Sequence, residues 1–255
     1  MPIALGYFPH HNRITGHVEQ LAKPITTQYV PIQKLLKCIL DSKNFMSTVL
    51  QYQCSNDGLL RYFHDGQFCK EHNFFSTPQN LQLLLYVDKC EVANSLGSKA
   101  GLHKIGVVNC TILNLPPKYR SSLCNCFLVA MFNEEDMKTY GYDIVMRPLV
   151  DDIKELETNG VHIDSDVFNG SVRVSIAQVS GDNFCVNGIC GFVESFVGNY
   201  CRHCKMHSNH MWYSSTERPE CLRTQEDYEV DVAVNDPSIT GVKPPCILKI
   251  SVISM

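Results

Sequence analysis

The chain is most informative at first for what is missing from its 255 residues. No stretch approaches about 18 uninterrupted apolar residues, so no helical membrane span is expected. The N-terminus, "MPIALGYFPHHNRITGH", shows no basic segment followed by an apolar one, and no signal peptide is expected. Internal repeats, low-complexity tracts and Lys/Arg-rich runs are absent. The net charge of −4 argues against a broadly basic nucleic-acid coat and leaves only a local patch open. The 13 cysteines are odd in number and irregularly spaced, unlike the even framework of a small secreted domain, which points to a reducing intracellular compartment. What remains is an ordinary globular composition, 44% hydrophobic and 19% charged. A chain of this length suits one large domain, or one with an appendage, and can bury roughly 70% of its unfolded surface.

Residues 1–80 read as a helical and loop-rich preface. "YVPIQKLLKCIL" spaces Ile32, Leu35, Leu36, Ile39 and Leu40 helically after a proline, and "SKNFMSTVLQYQ" suggests a second short helix. From Leu81 the texture becomes strand-like. Leu83 to Val87 is a continuous apolar run ending on Asp88, "KIGVVNCTILNL" is β-branched, and "LCNCFLVAMF" is a third run after the double proline Pro116-Pro117. In the third run Cys124 and Cys126 alternate and are expected to pack in the core. "YDIVMRPLVDDIKELETNG" puts Ile144, Val145, Leu149, Val150, Ile153 and Leu156 on one helical face with Gly160 as a stop. Val172, Val174 and Ile176 alternate in a fourth strand closed by Gly181-Asp182, and a helix is expected around Phe192, Val193, Phe196 and Val197. The order strand, strand, strand, helix, strand, helix is that of an RNase H-like mixed sheet, in which a right-handed crossover lays strand four parallel to strand one. The expected organisation is therefore a preface (1–80), an α/β core (81–200) and a Cys/His-containing region (201–255).

In that arrangement Asp88 and Asp182 end adjacent strands. Two ionised carboxylates about 4 Å apart repel by roughly 4 kcal/mol at an effective dielectric of 20, so converging acids call for a cation. Mg²⁺ or Mn²⁺ suits carboxylate oxygen, and paired ions clamp the attacking and leaving oxygens in phosphodiester cleavage. The plainer reading is that each aspartate is a turn residue. Lys99, His103, Lys104, Lys118, Tyr119 and Arg120 flank these positions, as phosphate contacts or as solvated loop charge.

The segments "VDKCEVANSLGSKAGLHKIGVV", "NLPPKYRSSL", "YGYDIVMRPLVDDIKELETNGV", "GDNFCVNGICGFVESFVGNYCRHC" and "NDPSITGVKPPC" occur in an order that resembles the transposase domain of animal DNA transposons related to the CACTA superfamily. The resemblance covers most of the chain from about Tyr29. It implies an RNase H-like recombinase with an Asp, Asp, Glu/Asp metal set, Asp88 and Asp182 being the first two acids. It implies DNA cleavage and strand transfer at transposon ends, nuclear localisation and a homo-oligomer. The third acid is expected beyond "GVKPPC", where the sequence soon ends, so a truncated and inactive enzyme is expected. Glu194 reads as a solvated or capping carboxylate rather than a substitute. The alternative is a domesticated, non-catalytic DNA- or protein-binding module stabilised by zinc.

"NYCRHCKMHSNH" supplies Cys201-x-x-Cys204, the spacing that offers two thiolates to tetrahedral Zn²⁺. His207, His210, Cys221 and Cys246 compete for the other two positions, and Cys201, Cys204, His207 and Cys246 form the expected zinc set of a small knuckle. The resemblance includes this Cys pair after the second acid. The other reading is a pair of unligated thiols.

Overall fold

A computed structural model describes residues 2–11, 13–42, 44–51, 57–92, 104–194, 201–216, 218–243 and 246–248; for 2–11 and 19–25 it describes the backbone alone. Contacts gather the chain into two compact units, Met1–Val179 and Ser180–Met255. The first 80 residues therefore belong with the sheet instead of forming a separate preface.

The first 29 residues correct the helical expectation. β1 (Pro2–His11) and β2 (Val18–Tyr29) pair antiparallel. Prolines hid this pattern, because each lacks a ladder donor. Pro9 falls where the pairing shifts between Phe8 and His10, a position that tolerates its missing N–H. Helices then appear as expected. α1 (Ile32–Leu40) follows Pro31 and buries Ile32, Leu36 and Leu40 at four-residue intervals; α2 (Phe45–Gln51) and α3 (Gln67–Glu71) are short. The Tyr29 hydroxyl donates to Asp152 at 2.5 Å and accepts the Ile32 amide at 3.2 Å, fixing the start of α1. Burial, with the Asp152 carboxylate beside it, raises the Tyr29 phenol well above its usual range.

The sheet is built from β3 (Leu81–Glu91), β4 (Lys104–Ile112), β5 (Phe127–Asn133) and β8 (Val174–Gly181), with β1 and β2 on one side. Between these strands lie α4 (Pro117–Arg120), α5 (Glu134–Thr158), β6 (Val161–Asp164) and β7 (Asn169–Val172). The sheet order is β1-β2-β5-β4-β3-β8, and β6 and β7 form a separate hairpin. β3, β4 and β5 make an antiparallel meander. β8 sets off beside the start of β3, where the Leu81 amide donates to the Arg173 carbonyl at 2.8 Å. The two strands start from the same edge, so they run parallel and the sheet is mixed. The protein is a mixed α/β molecule.

α5 packs across this sheet and contacts α1. Its buried face is Val145, Met146, Leu149, Val150, Ile153 and Leu156, while Ile144 is 42% exposed and leaves the expected stripe. The helix breaks at Gly141, whose backbone is not helical, and Pro148 lies inside rather than in a first turn. Gly160 stops the helix in the left-handed region, φ 69°. In the sheet, a side chain on Gly106 would collide with the Phe132 ring, which lies over that glycine and meets Tyr142 edge-on at 6.1 Å. Cys124 and Cys126 are exposed, correcting the core assignment. They fall in a 3₁₀ turn (Leu123–Asn125) and its cap, because β5 begins only at Phe127.

The second unit contains α6 (Asn183–Ile189), α7 (Ser208–Met211), α8 (Gln225–Val234) and α9 (Pro237–Thr240). The helix expected around Phe192 lies earlier, starting at Asn183. Phe192 and Val193 follow it, and Phe196 and Val197 lie outside the described residues. Phe192, Tyr228 and Val242 form a buried cluster in this unit. Thr224 and Asp227 cap α8 reciprocally, and Arg223 lies over the Phe192 ring while pairing with Asp231.

Candidate functional site

Each acid can be followed from its own element. The first five residues of β3 are buried or nearly so, and from Tyr86 onward the strand alternates, with Tyr86, Asp88 and Cys90 exposed and Val87 buried. Asp88 thus stands on an open sheet face inside the strand, not at its tip. The strand continues because Lys89, Cys90 and Glu91 keep their pairing with Gly106, Ile105 and Lys104, and backbone pairing is indifferent to side-chain polarity. One Asp88 oxygen accepts its neighbour's amide from Lys89 at 2.7 Å, and the other accepts the Tyr86 hydroxyl at 3.4 Å. Lys89 turns the other way and pairs with Glu134 at 3.3 Å, which Lys138 also reaches at 3.2 Å. Burial opposes ionisation of Glu134, but Lys138 and Lys89 outweigh it and hold its carboxyl below the usual range.

Asp182 follows β8 directly and is the N-cap of α6. Its Oδ1 accepts the Cys185 amide at 2.7 Å, and its Oδ2 accepts the Cys185 thiol at 3.3 Å. Here the turn-residue reading has a physical role, since the cap satisfies an amide that has no partner within the helix. Asp182→Ala is expected to destabilise the second unit by about 1 kcal/mol in urea unfolding, and Asp182→Asn by only a few tenths, because asparagine caps as well. Equal losses in both would show that the carboxylate charge matters beyond capping. Carboxylate oxygen is the donor type a hard divalent cation prefers.

The cysteine region forms a short backbone clasp. Cys204 bridges Leu222, the Lys205 amide donates to the Cys221 carbonyl at 2.8 Å, and the Arg223 amide donates to the His203 carbonyl at 2.9 Å. This brings Cys221 beside Cys204. Burial, then the neighbouring Cys201 and Cys221, push the Cys204 thiol up. Arg202 anchors the segment to α6 through Asn187 at 2.9 Å and Asn183 at 3.2 Å.

The expected zinc set does not assemble as a unit. His207 uses Nδ1 to accept the Asn209 amide at 3.1 Å as the cap of α7, leaving Nε2 as its ligating atom. Cys246 is buried under Gly191 and donates its thiol to the Ile189 carbonyl at 3.2 Å. Among the described residues no group of three or more His, Cys, Asp or Glu is gathered to hold a metal ion. Cys221, one of the four competing residues but not of the expected set, is the third thiol near the pair. Its proximity depends on the pairing of 203–205 with 221–223, which spacing alone does not reveal.

No protein-family model and no curated protein matches this chain. The transposase resemblance therefore rests on its quoted segments. Of the basic residues considered with it, Lys99 and His103 lie outside the described residues. Lys118 sits over the Tyr119 ring at 4.7 Å and Arg120 over the Tyr62 ring at 4.5 Å, so both have structural partners. Glu194 is half-buried and pairs with Lys243 at 3.7 Å. No helix among the described residues is long and apolar enough to cross a membrane.

Proposed function

We propose that the chain is transposase-derived, an RNase H-like recombinase domain acting on DNA, in which Asp88 and Asp182 are metal-binding acids for Mg²⁺ or Mn²⁺. The observation that supports this reading is the sheet order. A three-strand meander is followed by a crossover helix and by a strand lying parallel to the first, and each of these two neighbouring strands carries an aspartate at or just past its C-terminal portion. A bound divalent ion would supply Lewis acidity toward a phosphodiester and activate a water or a 3′-hydroxyl. The protein's part is to hold the acids on stiff elements: Asp88 within a strand paired to β4 from Leu83 to Glu91, Asp182 locked as a helix cap. Nuclear localisation, transposon-end DNA and self-association belong to the same proposal.

A second reading is a non-catalytic DNA- or protein-binding module held by zinc. It is favoured by the 203–205 and 221–223 clasp, which brings Cys221 beside Cys204; Cys201, Cys204 and Cys221 would close around an ion only on binding it. Four ligands are needed at a structural zinc site, and His207 Nε2 is a candidate fourth.

Electron paramagnetic resonance of Mn²⁺ added to the purified chain separates the two. The recombinase reading expects bound Mn²⁺, with affinity falling at least tenfold in both Asp88→Asn and Asp182→Asn. Asparagine keeps the cap at 182, so that loss would report the ion and not the fold. Affinity unchanged in both variants would sink the acid-pair reading. Zinc retained through dialysis, without any Mn²⁺ signal, would favour the second.

A further inference from the structure

The first unit encloses a cavity of about 440 Å³, within the usual range for small-molecule sites and separate from both aspartates. Its wall includes His64, Cys69, Lys70, Phe75, Gln82 and Asn114. Gln82 is the unusual member. It is 1% exposed in the apolar opening of β3, and its side-chain oxygen has no hydrogen-bond partner. The identity of that oxygen is fixed by the other end of the amide, since Nε2 donates to the Phe75 carbonyl at 3.0 Å and reaches Cys69 Sγ at 3.7 Å. A flipped amide would set oxygen against oxygen. The neighbouring carboxamide is already engaged: Asn114 accepts the Gln82 amide at 2.7 Å and donates to the Asn80 carbonyl at 3.0 Å. A buried acceptor in this state takes a donor from outside the chain, a water when no ligand is bound.

The remaining wall restricts what that donor can be. Burial, then nearby Arg120, lower the His64 pKa to about 4 against the opposing pull of Asp65, so the imidazole is neutral at ordinary pH and Lys70 is the one charged side chain among the lining residues. Phe75 supplies an aromatic wall, fixed edge-on against Phe63 at 5.4 Å and Phe74 at 5.5 Å. Lys70 is exposed, which puts its ammonium at the opening. Together these features favour a flat, uncharged ligand with one strong donor and its polar or anionic end outward.

We propose that this cavity binds a nucleobase-type heterocycle of nucleoside size, whose ring N–H donates to Gln82 Oε1 and whose anionic substituent, where present, lies at Lys70. Two sources present the same base chemistry: a free nucleoside and an unpaired position in a nucleic-acid strand. The site stands independently of any metal at Asp88 and Asp182.

Saturation-transfer NMR on the full chain tests this with uridine and 3-methyluridine, which differ at the ring N–H. Uridine is expected to bind at millimolar concentration, and methylation to weaken it about tenfold or more. Gln82→Met should abolish the difference, with thermal melting confirming the fold. If that variant fails to fold, the uridine pair on the unaltered chain still decides the matter. Lys70→Gln, at an exposed position, should remove any preference for uridine 5′-monophosphate over uridine. Oligothymidylate that displaces uridine would identify a strand as the source, and uridine binding without such displacement a free nucleoside; both support the site. No uridine binding, or equal binding of the methylated compound, would overturn it.

Discussion

Gly160→Ala is expected to destabilise the first unit by about 3 kcal/mol, measured by urea unfolding. Two costs combine. The left-handed backbone at φ 69° costs an ordinary residue roughly 1–2 kcal/mol. The new methyl would also lie 2.5 Å from Ser171 Oγ and 2.7 Å from the Val172 carbonyl oxygen. The carbonyl is backbone in the β6–β7 hairpin, where Val161 pairs with Val172, so it cannot move aside as a flexible side chain could. Gly160→Asn separates the terms, because asparagine tolerates the conformation but not the collision. It is expected to recover less than half of the loss. A near-normal Gly160→Asn protein would refute the close approach between the end of α5 and the hairpin.

In the second unit the largest effect is expected at Tyr228. This side chain is 2% exposed, packs on Phe192 with ring centroids 5.8 Å apart, and its hydroxyl accepts the Cys246 amide at 3.4 Å. Tyr228→Ala should cost about 3–5 kcal/mol, the range for large aromatic deletions, because it empties the centre of the Phe192, Tyr228 and Val242 cluster. Tyr228→Phe removes only the hydroxyl and should cost about 1 kcal/mol. Amide hydrogen exchange resolves where the loss falls. Protection should collapse in α8 and around Phe192 in the alanine variant and persist in β3 and β4. Uniform loss across both units would show that they do not unfold separately.

The elements most readily read from sequence were those with a continuous local period. α1 and the buried face of α5 follow helical spacing, and β3 and β4 follow their apolar and β-branched runs. Failures came where a distant partner decides the outcome. β1 and β2 carry prolines and little alternation, and they are strands because they pair with each other and, through Gln28 and Tyr29, with Met131 and Ala130. The β6–β7 hairpin is only four residues to a strand, too short for a period to register, so Val172 was assigned to the wrong strand. Within α5 the break is at Gly141, whose backbone conformation sequence spacing does not express. For the candidate site, the sequence reads both aspartates as strand ends, and Asp182 proves to be the cap of α6 just after β8. Asp88 was taken as a terminus because polarity begins there, although pairing runs on to Glu91. The cavity around Gln82 was not anticipated, since a lone glutamine in an apolar run says nothing about which of its two amide atoms is satisfied.

The glycine beneath the Phe132 ring has a consequence for how the sheet assembles. Gly106 and Phe132 are directly opposed partners on β4 and β5. Sliding one strand by a single residue would drive that ring onto Ile105 or Val107, both too bulky to lie under it, while turning every alternate side chain toward the wrong layer. An empty place on one strand thus acts as a keyway for its neighbour: misaligned ladders are rejected by shape before their hydrogen bonds can be counted.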